Sequence, residues 1–207
     1  MPAQFQRLLD KLDEFIKRHY LNRLLKGLLW FAGGFLILFL SFISLEYVGY
    51  FEPRIRLVLF YTFIGFNLFV FVRFVIIPLA GLIRIGRRLG PDDAARILGQ
   101  FFRHELGDQI TNALQLKRYF DQNPEDSGLI LAAIEQKAER ASHVPFSKAI
   151  NLKGNYRYLP YVLIPAIVIS GIFLMWPDYI TEPASRIVRY ESHFERPAPF
   201  RLEPAEA

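Results

Sequence analysis

The chain has 207 residues, of which 52% are hydrophobic and 22% charged, with 20 phenylalanines, no cysteine and a formal net charge of +5. That apolar content excludes a disordered chain or a highly charged soluble coiled coil, and the lack of cysteine excludes disulfides, zinc–thiolate sites, iron–sulfur clusters and thiol catalysis. The charges avoid three long stretches, which makes a lipid bilayer the expected solvent for much of the chain.

Residues 1–23 are expected to form an amphipathic helix. Phe5, Leu8, Leu9, Leu12, Ile16 and Tyr20 recur at helical spacing, and Arg7, Asp10, Lys11, Glu14, Lys17 and Arg18 cover the opposite side. Such a helix can lie on an inner leaflet or pack against another part of the chain or a partner. The first transmembrane helix is expected at 24–46, where 19 uncharged residues separate Lys26 from Glu46. Its long charged leader, its length and the lack of a small-x-small cleavage site favour an uncleaved anchor over a signal peptide.

The second span is expected at 57–79. Sixteen uncharged residues precede Arg73, which therefore falls inside the hydrocarbon edge. Its guanidinium is expected to snorkel to headgroups or to meet an acidic partner, with transport or gating as the sharper reading. Asn67 is the other candidate intramembrane polar residue; Ser41, Ser44 and Ser170 can bond between helices, and Gly33, Gly34, Ala166 and Gly171 permit close approach.

Residues 80–157 are expected to be a cytoplasmic three-helix module and connector. Gly90 and Pro91 open the first helix, with Ala94, Leu98, Phe101 and Phe102 on its apolar face; a second runs from about 106 to 120; Asn123 and Pro124 open a third. At the module's start, Arg84, Arg87 and Arg88 are candidate lipid-headgroup contacts, since GLIRIGRRLG lacks a phosphate-loop ending. The third span is expected at 158–177, bounded by Tyr158, Tyr161, Trp176 and Tyr179, with Pro160 and Pro165 as possible kinks. In the tail, 178–207, Ile187, Val188 and Tyr190 suit a short strand, and Phe194 and Phe200 are candidate partner contacts because so short a segment cannot bury them alone.

Orientation follows from Lys and Arg. Six precede the first span and twelve lie in 80–157, against two between the first spans and four, with six acids, in the tail. The positive-inside rule puts the N-terminus and the module in the cytoplasm and the tail outside, which is the periplasm if the source is a diderm bacterium. The expected fold is an all-α membrane protein: three transmembrane helices, an inserted cytoplasmic helical module and a short extended periplasmic tail.

Catalytic chemistry finds no constellation. HELGD, with His104, Glu105 and Asp108, is not a zincin motif; the remaining histidines are isolated; no strand–turn–helix presents a nucleophilic serine. Basic residues follow membrane boundaries and not a groove-facing element, so nucleic acid is not an expected partner. No enzyme, cofactor or metal is expected. The expected function is an inner-membrane anchor or assembly subunit, multi-pass, with the bilayer and membrane or periplasmic proteins as partners and self-association open. The alternative is a transporter or channel component using Asn67 and Arg73.

The segments LDKLDEFIKRHYLNRLLKGLL, LEYVGYF, DDAARILGQFFRHELGDQITNALQL, VPFSKAINLK and TEPASRIVRYESHFERPAPF resemble the N-terminal part of the domain-of-unknown-function 4175 family of large bacterial inner-membrane proteins. The resemblance implies a third span leading into a long periplasmic portion with immunoglobulin-like β-domains, of which FERPAPFRLEP would be the first strand. It brings no catalytic residues.

Overall fold

The computed structural model describes residues 3–83, 89–102, 106, 108–122, 127–192 and 194, and among them every regular element is a helix. Three helical stretches are long and apolar enough to cross a membrane: Ala3–Gly49, Pro53–Leu82 and Phe146–Met175. The chain divides into two compact units, one of Met1–Leu28 with Arg73–Arg157 and one of Leu29–Val72 with Tyr158–Ala207.

Helix α1 (Ala3–Gly49) contributes to both units. The leader and the first span are one continuous helix because 20–26, YLNRLLK, contains no Gly or Pro to end a turn. In the first unit it is accompanied by α3 (Ile77–Leu82), α4 (Pro91–Phe101), α5 (Gln109–Gln122), α6 (Ser127–Ser142) and two 3₁₀ segments, Phe146–Ala149 and Leu152–Tyr158. The leader's stripe is the spine of this unit's core. Phe5, Leu8, Leu12, Phe15, Ile16 and Tyr20 are buried with Ala94, Ala95 and Leu98 of α4, Ile110, Ala113 and Leu114 of α5, and Ile134, Ala138 and Ala141 of α6. Intramolecular packing therefore accounts for the leader's apolar face. Its polar face carries one-turn pairs, Asp13–Lys17 at 3.3 Å and Glu14–Arg18 at 3.0 Å, with the acid N-terminal to the base as the helix dipole favours.

Local chemistry sets the joints of this unit. Gly90 precedes α4 with Pro91 at its first position, and the Gly90 N–H donates to Asp93 Oδ2 at 3.4 Å, half of a capping box. The second helix begins at Gln109, not near 106: the Leu106 carbonyl accepts from Gln109 N–H at 2.9 Å and the Asp108 carbonyl from Asn112 N–H at 2.8 Å, so 106 and 108 form the entrance turn. Asn123 and Pro124, the expected opening of the third helix, lie outside the described residues. The Tyr20 hydroxyl accepts from Leu89 N–H at 2.9 Å, and the Tyr20 ring lies against Gly81, where an added Cβ would come within 2.2 Å of it. Asn155 Nδ2 donates to Asn22 Oδ1 at 2.7 Å.

The second unit holds the rest of α1, α2 (Pro53–Phe71), α7 (Pro160–Met175) and α8 (Pro177–Val188). Its contacts are largely aromatic: Phe31 with Phe71 at 5.2 Å, Phe35 with Phe63 at 5.5 Å and Phe42 with Phe63 at 5.7 Å. Trp30 stacks on Tyr161 at 6.0 Å, and at Gly33 a Cβ would stand 2.7 Å from the Tyr161 carbonyl oxygen, so only glycine lets α1 and α7 come this near. Gly34, Gly65 and Gly171 face open space, so the close approach expected at Gly34 and Gly171 is not made.

The expected strand around Ile187 and Val188 is a helix. Pro177 starts α8, Asp178 sits in its first turn, and Ile180, Pro183 and Ile187 recur on one buried face against Ile43 of α1. Two β-branched neighbours are too weak a signal to outweigh a 3–4 apolar spacing behind a helix-starting proline. The tail is thus helical to Val188 and not extended there.

A π turn, Val72–Ile76, follows α2. Pro78 has no N–H to offer the Phe74 carbonyl one turn back and its ring crowds that oxygen, so the helix widens there. Gly27 belongs to the same unit as Phe74, and a Cβ on it would fall 1.9 Å from the Phe74 carbonyl oxygen.

Candidate functional site

Among the described residues the second unit buries three charged side chains, Glu46, Arg56 and Arg186, the first two on either side of the turn from α1 to α2. Glu46 lies in the last turn of α1 and Arg56 in the first turn of α2. Both are placed against their helix dipoles, an acid near a negative end and a base near a positive one. Their burial is nearly complete, at 0% and 1% exposure. Pairing is the compensation: Arg56 Nε donates to Glu46 Oε1 at 2.9 Å.

The turn that makes this pairing possible is built from its own residues. Gly49 closes α1 with the Phe51 ring where a Cβ would stand, 2.5 Å away. Tyr50 follows in the left-handed region, at φ 43°, its N–H bonded to the Glu46 carbonyl at 3.1 Å. A tyrosine there costs on the order of 1–2 kcal/mol relative to glycine. Glu52 is extended and Pro53 starts α2 with its φ already suited to a helix.

Arg56 has two further contacts. Its Nη1 donates to the Ser192 carbonyl at 3.1 Å, and its guanidinium lies 4.9 Å from the centre of the Phe194 ring. Phe194, expected to meet a partner, is half-buried against this arginine. Arg186 of α8 is the second buried guanidinium, 3% exposed and 4.1 Å from the Tyr50 ring centre. Among the described residues its carboxylate neighbour is Glu182, whose Oε2 stands at 3.7 Å on a side chain that is mostly solvent-exposed. Among the described residues none of the three Arg186 nitrogens has a hydrogen-bond acceptor, and Glu46 Oε2 has no donor. An unsatisfied buried ion is among the costliest groups a fold can carry.

The sequence-derived candidates lie elsewhere. Asn67 Nδ2 donates to the Phe63 carbonyl of its own helix at 2.8 Å, so its amide serves α2 itself. Arg73 is exposed on the π turn, 5.8 Å from the Phe74 ring centre. Ser41 bonds back to the Ile37 carbonyl, whereas Ser44 does join helices, its Oγ accepting from the Tyr179 hydroxyl at 2.9 Å. Arg84, Arg87, Arg88, Phe200, His104 and Glu105 lie outside the described residues.

In the first unit, His19 sits in the leader, ahead of the apolar run, between Phe15 at 6.2 Å and Tyr20 at 5.9 Å. Burial lowers its pKa from the usual 6.5, and the charge of Arg23 one turn on adds to the effect.

The Glu46–Arg56–Arg186 group escapes a reading of the sequence because charges at the ends of apolar runs are counted for topology. One signal was there: an acid and a base ten residues apart across GYFEP, a turn that folds two helices side by side. No family model matches the chain, nor does any curated protein or solved structure, so none of these comparisons supports the expected resemblance to the domain-of-unknown-function 4175 family.

Proposed function

We propose that the chain is a non-enzymatic anchor or assembly subunit of the bacterial inner membrane, which holds a helical module in the cytoplasm and presents α8 and the tail to partners in the periplasm. The observation that carries this reading is the contrast between three helical stretches apolar enough to cross a membrane and a helical unit with a buried apolar core, to which the start of the first stretch contributes. Along α7 the buried residue is Pro165, while Leu174 and Ile167 of that helix and Phe69 of α2 stay 82%, 67% and 66% exposed. Surfaces of that kind need lipid or another protein against them. The Lys and Arg count supplies the direction: eighteen in the leader and module against six on the other side, from six and twelve against two and four. The order of the quoted segments supports a place beside the 4175 family.

Transport draws little from Asn67 and Arg73, since one is bonded within its own helix and the other is exposed. The test is fractionation and protease protection of a C-terminally tagged chain. Recovery in the membrane pellet after carbonate washing, with the tag cleaved from intact spheroplasts, is expected. A tag protected until lysis would refute the topology, and release by carbonate the membrane reading itself.

A further inference from the structure

Two features of the second unit remain without a use in anchoring. The first is Arg186, whose three buried nitrogens have no hydrogen-bond acceptor among the described residues. The second is a cavity of about 180 Å³ lined by apolar side chains, among them Phe39, Phe42 and Ile43 of α1, Phe60 and Ile64 of α2, and Ile187 of α8. It exceeds the ~150 Å³ apolar cavity known to stay dry and take up benzene. Helical register ties the two together. Phe42 lies one turn before Glu46, Phe60 one turn after Arg56, and Ile187 directly follows Arg186. The apolar space therefore lies one turn deeper along α1 and α2 than the buried charges.

Building on the membrane reading, we propose that this unit holds one anionic phospholipid at a fixed place, its phosphate on the Arg186 guanidinium and an acyl chain in the cavity beneath. Charge selects the occupant. Among the described residues the two buried guanidiniums have one buried carboxylate, Glu46, already engaged by Arg56, and the exposed Glu182, whose Oε2 stands 3.7 Å from Arg186 Nη2 without a hydrogen bond to it. A phosphate monoanion supplies the acceptors that Arg186 lacks, in the forked geometry a guanidinium favours. The wall of aromatic and branched side chains supplies nothing but apolar contact, as a hydrocarbon tail requires.

The experiment is native mass spectrometry of the delipidated full chain in detergent, with phosphatidylglycerol, phosphatidylcholine, diacylglycerol or inorganic phosphate added in turn. One bound phosphatidylglycerol is expected, held more tightly than the zwitterionic or uncharged lipid. Arg186→Gln should weaken it about tenfold, the loss of one charged hydrogen-bonded contact. Ala184→Phe, which fills the cavity wall, should weaken all three lipids alike. Thermal unfolding separates binding from folding: without lipid, Arg186→Gln should be at least as stable as the parent, since it removes an unsatisfied buried charge. Equal phosphatidylglycerol binding by parent and Arg186→Gln would overturn the proposal, as would competition by inorganic phosphate as strong as that of the lipid. A chain that resists carbonate extraction yet binds lipids without regard to Arg186 would sink this site alone and leave the anchor reading standing.

Discussion

The two units of this chain solve the same problem with opposite materials. The first has an ordinary interior: among the described residues eighteen apolar side chains are buried in one cluster, drawn from α1, α4, α5, α6 and the segments beside them. The second, among the described residues, buries Ile43, Ile180 and Ile187 in its cluster, while Trp30, Tyr61, Phe66 and Leu68 stay more than half exposed. In water such a unit would gain by turning itself inside out. In lipid there is no such gain, and cohesion has to come from close approach, ring contacts and a few buried polar bonds. The difference teaches that each unit should fail to different substitutions.

The largest effect is expected where the second unit depends on one ion pair. Glu46→Ala leaves Arg56 buried and unpaired, and should cost about 3–5 kcal/mol in unfolding from detergent micelles. Replacing both residues by Gln and Met should recover most of that loss. A double variant no better than the single one would mean that the pair contributes shape and not charge balance.

The first unit should respond to cavity formation in the way of a water-soluble domain. Leu12→Ala, at 1% exposure in the middle of the leader's stripe, should lose about 2–5 kcal/mol. If the variant's unfolding midpoint matched the parent's, the leader would not be part of that core.

Neighbouring glycines give a sharper contrast inside a single helix. Gly33→Ala drives a Cβ against the Tyr161 backbone and should cost about 1–3 kcal/mol. Gly34→Ala meets nothing within 4 Å and should be neutral or slightly stabilising, because alanine is the better helix former. Equal effects of the two would contradict the close approach of α1 and α7.

A smaller effect is expected from acid. His19 is neutral in the folded leader and its pKa is lowered there, so the unfolded chain takes up its proton first as pH falls. The stability tied to neutral His19 is fully present above about pH 6.5 and is lost as pH drops through the lower folded value. Melting curves between about pH 7.5 and about pH 5 should show a drop that His19→Gln reduces. The exposed pairs Asp13–Lys17 and Glu14–Arg18 should matter least, about 0.3–0.5 kcal/mol each, and should weaken with added salt.

Periodicity made the apolar stripe of the leader legible, and it made the three long apolar helices legible too, because each repeats one physical signal over many residues. It did not show whether the leader would find a leaflet or a core, since both bury the same face. Phe15 was missed for a related reason: at one residue from Ile16 it lies at the margin of the stripe, and only the width of the packed surface decides its burial. The α8 helix is legible in the Ile180, Pro183, Ile187 spacing, while the β-branched pair Ile187 and Val188 points to a strand. The buried charges were the hardest to see. Glu46, Arg56 and Arg186 border apolar runs, where a sequence permits either a solvated end or a buried pair, and only the tight turn through Gly49 and Tyr50 brings the first two together.

The account rests on the two units facing different surroundings, and the absence of native cysteine makes that directly measurable. Single cysteines at Leu129, 89% exposed on α6, and at Thr181, exposed on α8, can be challenged in intact spheroplasts with a membrane-impermeant maleimide. The prediction is that Thr181→Cys is labelled at once and Leu129→Cys only after the membrane is opened. Equal labelling of both before permeabilisation, or labelling in the reverse order, would contradict it.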